Sequence, residues 1–368
     1  MPQKGFAMAF DLPSRTSRRA NADAPAAARR VAGTGVPPVP PEDPPTAGRH
    51  PPQGVPWRAR SDAQVREAVT ERFVAMRAQG GDVCGPRWTA ALARGVPRNL
   101  VTGRPYRGAN AWLLWGEAMG QGHATGLWLT YAQACALGGQ VRRGTHGVLC
   151  ARFERVGPRA DGGSSAAAHA GRPGAAAVPP PAGWRCRPLW LFNVAQVDGL
   201  AAAMKEDAEG AGGEACKRGA VETAMRLVAG CNPTVRHGYD RAMYLPGPDE
   251  IRLPLPRRFA SAENYCATLL HALVRWTAHR ARLGREAPPR AGEDGCVFAG
   301  LVAALGASRL MGHCGLVGAV VEGQTDGRAA WLPLLRHDHR ALFSAARQAD
   351  DAVDWILARG LPEIGAMG

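Results

Sequence analysis

The chain has 368 residues, 46% of them hydrophobic and 6% aromatic, with 45 Lys+Arg against 31 Asp+Glu. That length suits two ordinary domains plus tails, and the lack of an apolar run near the roughly 20 residues of a membrane span excludes an integral membrane protein. Nine cysteines, an odd number with no C-x-x-C pair, fit reduced thiols better than a disulfide framework.

The N-terminus offers no apolar segment of signal-peptide length, because Phe6–Leu12 is short and Asp11 interrupts it. A cytoplasmic protein with no membrane partner is therefore expected. The charge is uneven: residues 1–200 hold 25 Lys+Arg and 12 Asp+Glu, net +13, while residues 201–368 hold 20 and 19, net +1. Arginine-rich composition accounts for Arg over Lys but not for this asymmetry. A basic half joined to a neutral one points to a polyanion-binding module attached to something else.

Residues 1–60, rich in Pro, Ala and Arg, have no periodic apolar face and are expected to be a disordered tail. Order begins near Asp62, where Val65, Val69, Phe73, Val74 and Met76 recur at helical spacing as far as Gly80-Gly81. Residues 96–150 predict a compact α+β unit. Within it, Asn99–Gly108 carries turn punctuation, Trp112–Trp115 an inward-packed helix, Leu127–Thr130 a strand, Tyr131–Leu137 a short helix and Val148–Val156 a strand. The Gly/Ala/Ser/Pro-rich stretch 157–183 is expected to be a flexible insertion between two strands of one sheet, the second being Pro188–Val194. A linker over 201–218 then separates a domain spanning 62–200 from one spanning 219–368. The second opens with a helix over 219–229. A hairpin of Val235–His237 with Ala242–Tyr244 follows, then a strand at Glu250–Leu253. Ser261 is a plausible N-cap, with Glu263 in the first turn, of a helix reaching about Thr277. A nearly all-apolar helix over 296–311 and an amphipathic one over 337–359 complete the chain.

Two sets of segments carry a family resemblance. Asn99-Leu-Val-Thr-Gly-Arg-Pro-Tyr-Arg-Gly-Ala-Asn110, Leu113-Leu-Trp115, Trp128-Leu-Thr-Tyr131, Leu137–Gly144 and Leu191–Leu200, in that order, resemble the N-terminal single-stranded-DNA-binding domain of ArdC-type antirestriction proteins and the related TraC-type plasmid primases. Arg236-His-Gly238, Ala242-Met-Tyr244, Asp249–Pro254, Ser261–Leu283 and residues 329–357 resemble the zincin-like metallopeptidase domain of that family. The resemblance implies an α+β protein of two domains, of mobile-element origin, whose partner is single-stranded DNA.

The second set departs from its pattern where the chemistry lies. In place of H-E-x-x-H the chain reads His271-Ala-Leu-Val-Arg275. A zincin needs two His at i and i+4 to aim both imidazoles at one Zn²⁺, and the intervening Glu as general base. Ala272 cannot titrate, and Arg275 has no lone pair for a metal. The acidic positions of the family's next helix correspond to Ala299, Gly300 and Ala304. A catalytically dead domain is expected, with no cofactor. Zinc enters only through an unconventional site, and His279, His313 and Cys314 are the weak candidates to join the remnant His271. On a continuous helix His271 and His279 stand about 12 Å apart along the axis. The plainer reading of His271 is a hydrogen-bonded core histidine. An active metallopeptidase with an unconventional site, or an adaptor holding a protein partner in the degenerate groove, remain the alternatives.

Single-strand binding takes cations that follow phosphates and flat rings that stack on bases. Arg104 and Arg107 flank Tyr106 on a Gly-bounded loop, and Arg142-Arg143 form a second basic turn. Either pair also suits an ordinary solvated surface. Trp112 and Trp115 read as core, Trp128 as core or stacking residue, and Asn110 as helix cap or phosphate contact. No base-reading motif is present, so sequence-independent binding is expected. No P-loop and no polymerase-type carboxylate cluster is visible.

Overall fold

The structure is a computed structural model that describes residues 61–80, 83–156, 183–200, 219–285, 294–323 and 331–360. The expected tail 1–60 and linker 201–218 lie outside these residues, as does the insertion 157–183 apart from Gly183. The described chain is α+β, as the sequence implies.

Helices α1 (Asp62–Gly80), α2 (Pro86–Leu92) and α3 (Gly108–Gln121) pack around an aromatic centre. The run Trp112–Trp115 is apolar on every side, and all four side chains are buried. Trp112 meets Phe73 edge-on at 6.5 Å and lies 5.5 Å from both Trp88 and Trp115. Such pairs add about 0.5–1.5 kcal/mol each beyond their buried area. Helix α2, which the sequence analysis does not anticipate, contributes Trp88 to this centre.

Strands β1 (Arg98–Asn99), β2 (Leu127–Leu129), β4 (Val148–Val156) and β5 (Gly183–Asn193) form one sheet in the order β1-β2-β5-β4, with β1 parallel to β2 and the rest antiparallel. Strand β5 begins five residues before the expected Pro188, so β4 and β5 pair along nine positions as a long ribbon. Helix α4 (Tyr131–Ala136) starts from a capping box: the Thr130 hydroxyl accepts from the Gln133 N–H, and the Gln133 side chain accepts from the Thr130 N–H. A small second sheet pairs β3 (Gln140–Val141) with β6 (Val197–Asp198) and covers a satellite core of Leu129, Ala134, Val141, Phe192 and Val194.

The rest of the chain comprises α5 (Ala220–Cys231), strands β7 (Thr234–His237), β8 (Met243–Leu245) and β9 (Glu250–Leu253), and helices α6 (Ala262–Trp276), α7 (Asp294–Cys314), α8 (Trp331–His337) and α9 (Ala341–Gly360). The expected hairpin of β7 with β8 is not formed. Instead β9 is central, parallel to β7 and antiparallel to β8. Ile251 and Leu253 on β9 are fully buried, as befits the middle strand. Ser261 caps α6 as expected, accepting from the Asn264 N–H at 3.1 Å. The helix expected over 337–359 is α9, which starts four residues later at Ala341; His337 instead ends the separate helix α8.

Helix α7 corrects the membrane argument drawn from the sequence. Gly295–Cys314 is long and apolar enough to cross a membrane, yet 67% of it is buried against α2, α6 and α9. Its apolarity serves the core. Gly306 lets α7 approach α6, since a Cβ there would fall 2.8 Å from Val274.

One hydrophobic cluster runs from Val65 on α1 to Ile356 on α9, across the expected domain boundary. Asp350 is the polar counterpart. This buried carboxylate on α9 accepts from the Gly108 N–H at 2.7 Å and from Arg309 on α7. Helix α3 has Arg107 at its N-cap and no side-chain cap of its own. The carboxylate from α9 fills that role and complements the helix dipole.

Candidate functional site

Asn99 shapes the loop that carries the first arginine pair. Its Oδ1 accepts from the N–H groups of Val101 and Thr102 at 3.1 and 3.0 Å, and its Nδ2 donates to the Tyr106 hydroxyl at 2.9 Å. Gly103 turns the tip through φ +66°. The result presents Arg104 fully to solvent, its guanidinium without a partner among the described residues. Arg143 is also exposed, with no partner among the described residues. Leu100, next to the 99–106 loop's start, and Val141, next to the 142–143 turn, both belong to the satellite core.

Five other expected contacts are occupied within the fold. Arg107 pairs with Asp354 at 2.5 Å and approaches Asp350 at 3.7 Å, so it joins α3 to α9. Its cation is held further in the charged state mainly by the hydrogen bond to Asp354. Asn110 neither caps a helix nor faces outward. It exchanges two hydrogen bonds with the Ala151 backbone, at 2.7 and 2.9 Å, and latches α3 to β4. Trp128 has no exposed surface and meets His123 edge-on at 6.0 Å, so it is a core residue and not a stacking one. Arg142 donates to the Ala195 carbonyl and lies 3.8 Å from Asp198. Tyr106 is half-buried, with its hydroxyl engaged by Asn99 and its ring packed on the core. Trp112 and Trp115 are core, as read from the sequence.

The β4–β5 ribbon adds cations and a ring that sequence reasoning missed. Cross-strand partners share a face, which places Arg152 with Arg187 and Glu154 with Arg185 on one side, and Arg155 with Trp184 on the other. Trp184 is 65% exposed; Arg155 on its face and Arg185 on the other have no partner among the described residues. The signal was the alternation of Trp184, Arg185, Cys186 and Arg187, a period of two hidden because these residues adjoin a Gly/Pro-rich stretch.

In the second half, His271, Ala272 and Arg275 share one face of α6 and line a cleft of about 90 Å³ closed by Ala242, Met243 and Tyr244. His271 is 4% exposed, and burial together with the Arg275 charge pushes its pKa down to about 3. Burial also lowers the Arg275 pKa. The Tyr244 hydroxyl donates to Asp249, whose carboxylate is held by Arg282 at 2.5 and 2.9 Å. His279 lies beyond the end of α6 and accepts from the Ala281 N–H. His313 is exposed at the far end of α7, while Cys314 is buried with its thiol pushed up to about 12. None of the three lines the cleft. Ala299, Gly300 and Ala304 also stand outside it: Gly300 faces the Trp331 indole, and the Ala304 carbonyl accepts from Ser308 and Cys84. Among the described residues no three His, Cys, Asp or Glu side chains gather closely enough to hold a metal. One imidazole beside a guanidinium does not fit a zinc ion, because the cation repels it.

Comparison with known proteins follows this geometry. Residues 63–172 match the family described as the N-terminal domain of anti-restriction factor ArdC, and residues 222–348 match a zincin-like metallopeptidase family. The chain is 32% identical over 308 residues to DNA primase TraC of Escherichia coli, covering 79% of this chain but 27% of that protein. It is 29% identical over 307 residues to the uncharacterized protein y4eC of Sinorhizobium fredii, covering 82% of this chain and 94% of the relative. The metal-free crystal structure of antirestriction protein ArdC from plasmid R388 superposes with a TM-score of 0.59 at 26% identity, over 80% of this chain and 97% of that one. Its Mn(II)-bound form gives a TM-score of 0.62 over 81% and 98%. Both domain types of the ArdC-like proteins are thus matched in order along this chain, and the solved ArdC structures align with it nearly end to end.

Proposed function

We propose that the chain binds single-stranded DNA without sequence preference and serves a mobile element as an ArdC-like antirestriction protein. The observation that supports this reading most is the exposure of Arg104 and Arg143, neither with a side-chain partner among the described residues, in the half that matches the ArdC N-terminal domain. The primase activity named for TraC belongs to a protein of which this chain spans 27%, and it is not assigned here. Fluorescence anisotropy of a labelled oligothymidylate titrated with the full chain tests the reading. Saturable binding supports it, and no binding at low salt overturns it.

The metallopeptidase-type half acts in this reading as scaffold without metal chemistry. What supports this is the cleft on α6, where the position of the second zinc-binding histidine holds Arg275 and the position of the general base holds Ala272. Dialysis against excess zinc followed by metal analysis distinguishes the possibilities. Near-stoichiometric retained zinc, or cleavage of a peptide substrate, contradicts it.

A further inference from the structure

The cleft on α6 contains an unusual combination of groups. Arg275 sits half-buried with no hydrogen bond or ion pair to any described residue, and no carboxylate among the described residues lines the cleft with it. Asp249, which accepts from the Tyr244 hydroxyl of the cleft wall, is already paired with Arg282. His271, 4% exposed, likewise has no hydrogen-bond partner among the described residues, although its ring faces the cleft one helical turn from the guanidinium. Met243 and Ala242 close the opposite wall with apolar surface.

A desolvated, uncompensated charge is costly, and so is a buried imidazole with no partner. One ligand relieves both. The guanidinium fork matches the oxygens of a carboxylate or phosphate group in a two-point contact, and a neutral imidazole supplies one further N–H donor. A cleft of about 90 Å³ has room for one small oxyanion.

We propose that this cleft is an oxyanion site, in which Arg275 and His271 hold a single phosphate- or carboxylate-type group at the place where the metallopeptidase fold carries a cation. The site has exchanged the sign of its ligand: a fixed cation on the protein replaces the bound one, and an anion becomes the guest. Nothing in this inference depends on single-strand binding.

Isothermal titration of the full chain with inorganic phosphate at constant ionic strength tests it, with sodium acetate as a second arm and sodium chloride as control. One saturable site for phosphate assigns a tetrahedral oxyanion, and one for acetate alone assigns a carboxylate source. Absence of both overturns the proposal. Arg275→Met abolishes the site, and Arg275→Lys, which keeps the charge but loses the fork, weakens it several-fold. The pair Arg104→Ala and Arg143→Ala leaves it unchanged. Arg275→Met removes an unpaired charge, so its thermal midpoint in chloride equals or exceeds that of the parent, and phosphate raises only the parent's. Phosphate heat that persists in Arg275→Met, or that vanishes in the Arg104 and Arg143 variants, contradicts the assignment.

Discussion

The guanidinium of Arg107 lies 2.5 Å from the carboxylate of Asp354, joining the first turn of α3 to the last helix of the chain. An arginine that looks in sequence like a phosphate contact is thus engaged by its own fold. Both side chains are about half exposed, so the pair contributes about 0.2–1 kcal/mol. Arg107→Ala is expected to lower the urea midpoint by that modest amount and leave the salt dependence of DNA binding unchanged. A flattened salt slope would return Arg107 to the DNA interface.

Asp350 is a harder position. It satisfies the Gly108 N–H and the largely covered Arg309 together, so Asp350→Ala strands a charge and an N-terminal helix donor at once. The expected loss is about 3–5 kcal/mol, read as a drop in unfolding free energy. A loss below about 1 kcal/mol would show that α3 finds another cap.

The exposed arginines behave differently. Arg104→Ala and Arg143→Ala each remove a cation without breaking a bond within the protein. Each is expected to weaken binding to all single strands alike and to flatten the slope of log K against log salt by about 0.7. Unfolding midpoints should not move. Unequal losses on oligonucleotides of different sequence would point to base reading instead.

Two tryptophans separate packing from stacking. Trp128→Ala empties a fully buried site and is expected to cost about 3–5 kcal/mol of stability. Trp184→Ala, at an exposed position beside Arg155, should leave stability nearly intact and cost about 1–3 kcal/mol in single-strand binding, with duplex binding unaffected. If Trp184→Ala changes neither affinity, the ribbon lies outside the interface.

His271 gives a pH signature. Its pKa in the folded protein is about 3, against about 6.5 in an unfolded chain. Above pH about 6.5 both states hold a neutral ring, and the group adds no pH dependence. Below that, the unfolded chain takes up a proton that the fold refuses, so stability falls by about 1.4 kcal/mol per pH unit, down toward pH 3. Urea midpoints measured from pH 7 to 5 should fall more steeply for the parent than for His271→Gln. Equal slopes would mean that the folded ring titrates normally.

Elements with strong local signals were legible in the sequence: the Ser261 cap, the Trp112–Trp115 helix, and the strands at 127–129 and 148–156 match their expected places closely. The pairing of β7 with β9 was not, because parallel partners are chosen by burial of Ile251 and Leu253 and not by a short connection. For the candidate site, residue type gave the arginines but not their availability. Whether Arg104 or Arg107 is free depends on Asp354, almost the whole described length of the chain away. Likewise, an exposed tryptophan and a buried one look alike in a list of residues, and only the register of the ribbon tells Trp184 from Trp128.

The account rests most on single-strand binding by the intact chain, and a competition titration addresses it directly. A labelled single-stranded oligonucleotide is bound by the full protein and displaced by unlabelled single strand or duplex, across a range of salt. The account predicts that single strand competes better than duplex of equal length, that sequence matters little, and that log K falls linearly with log salt. Equal competition by duplex, or no binding at low salt, would contradict it.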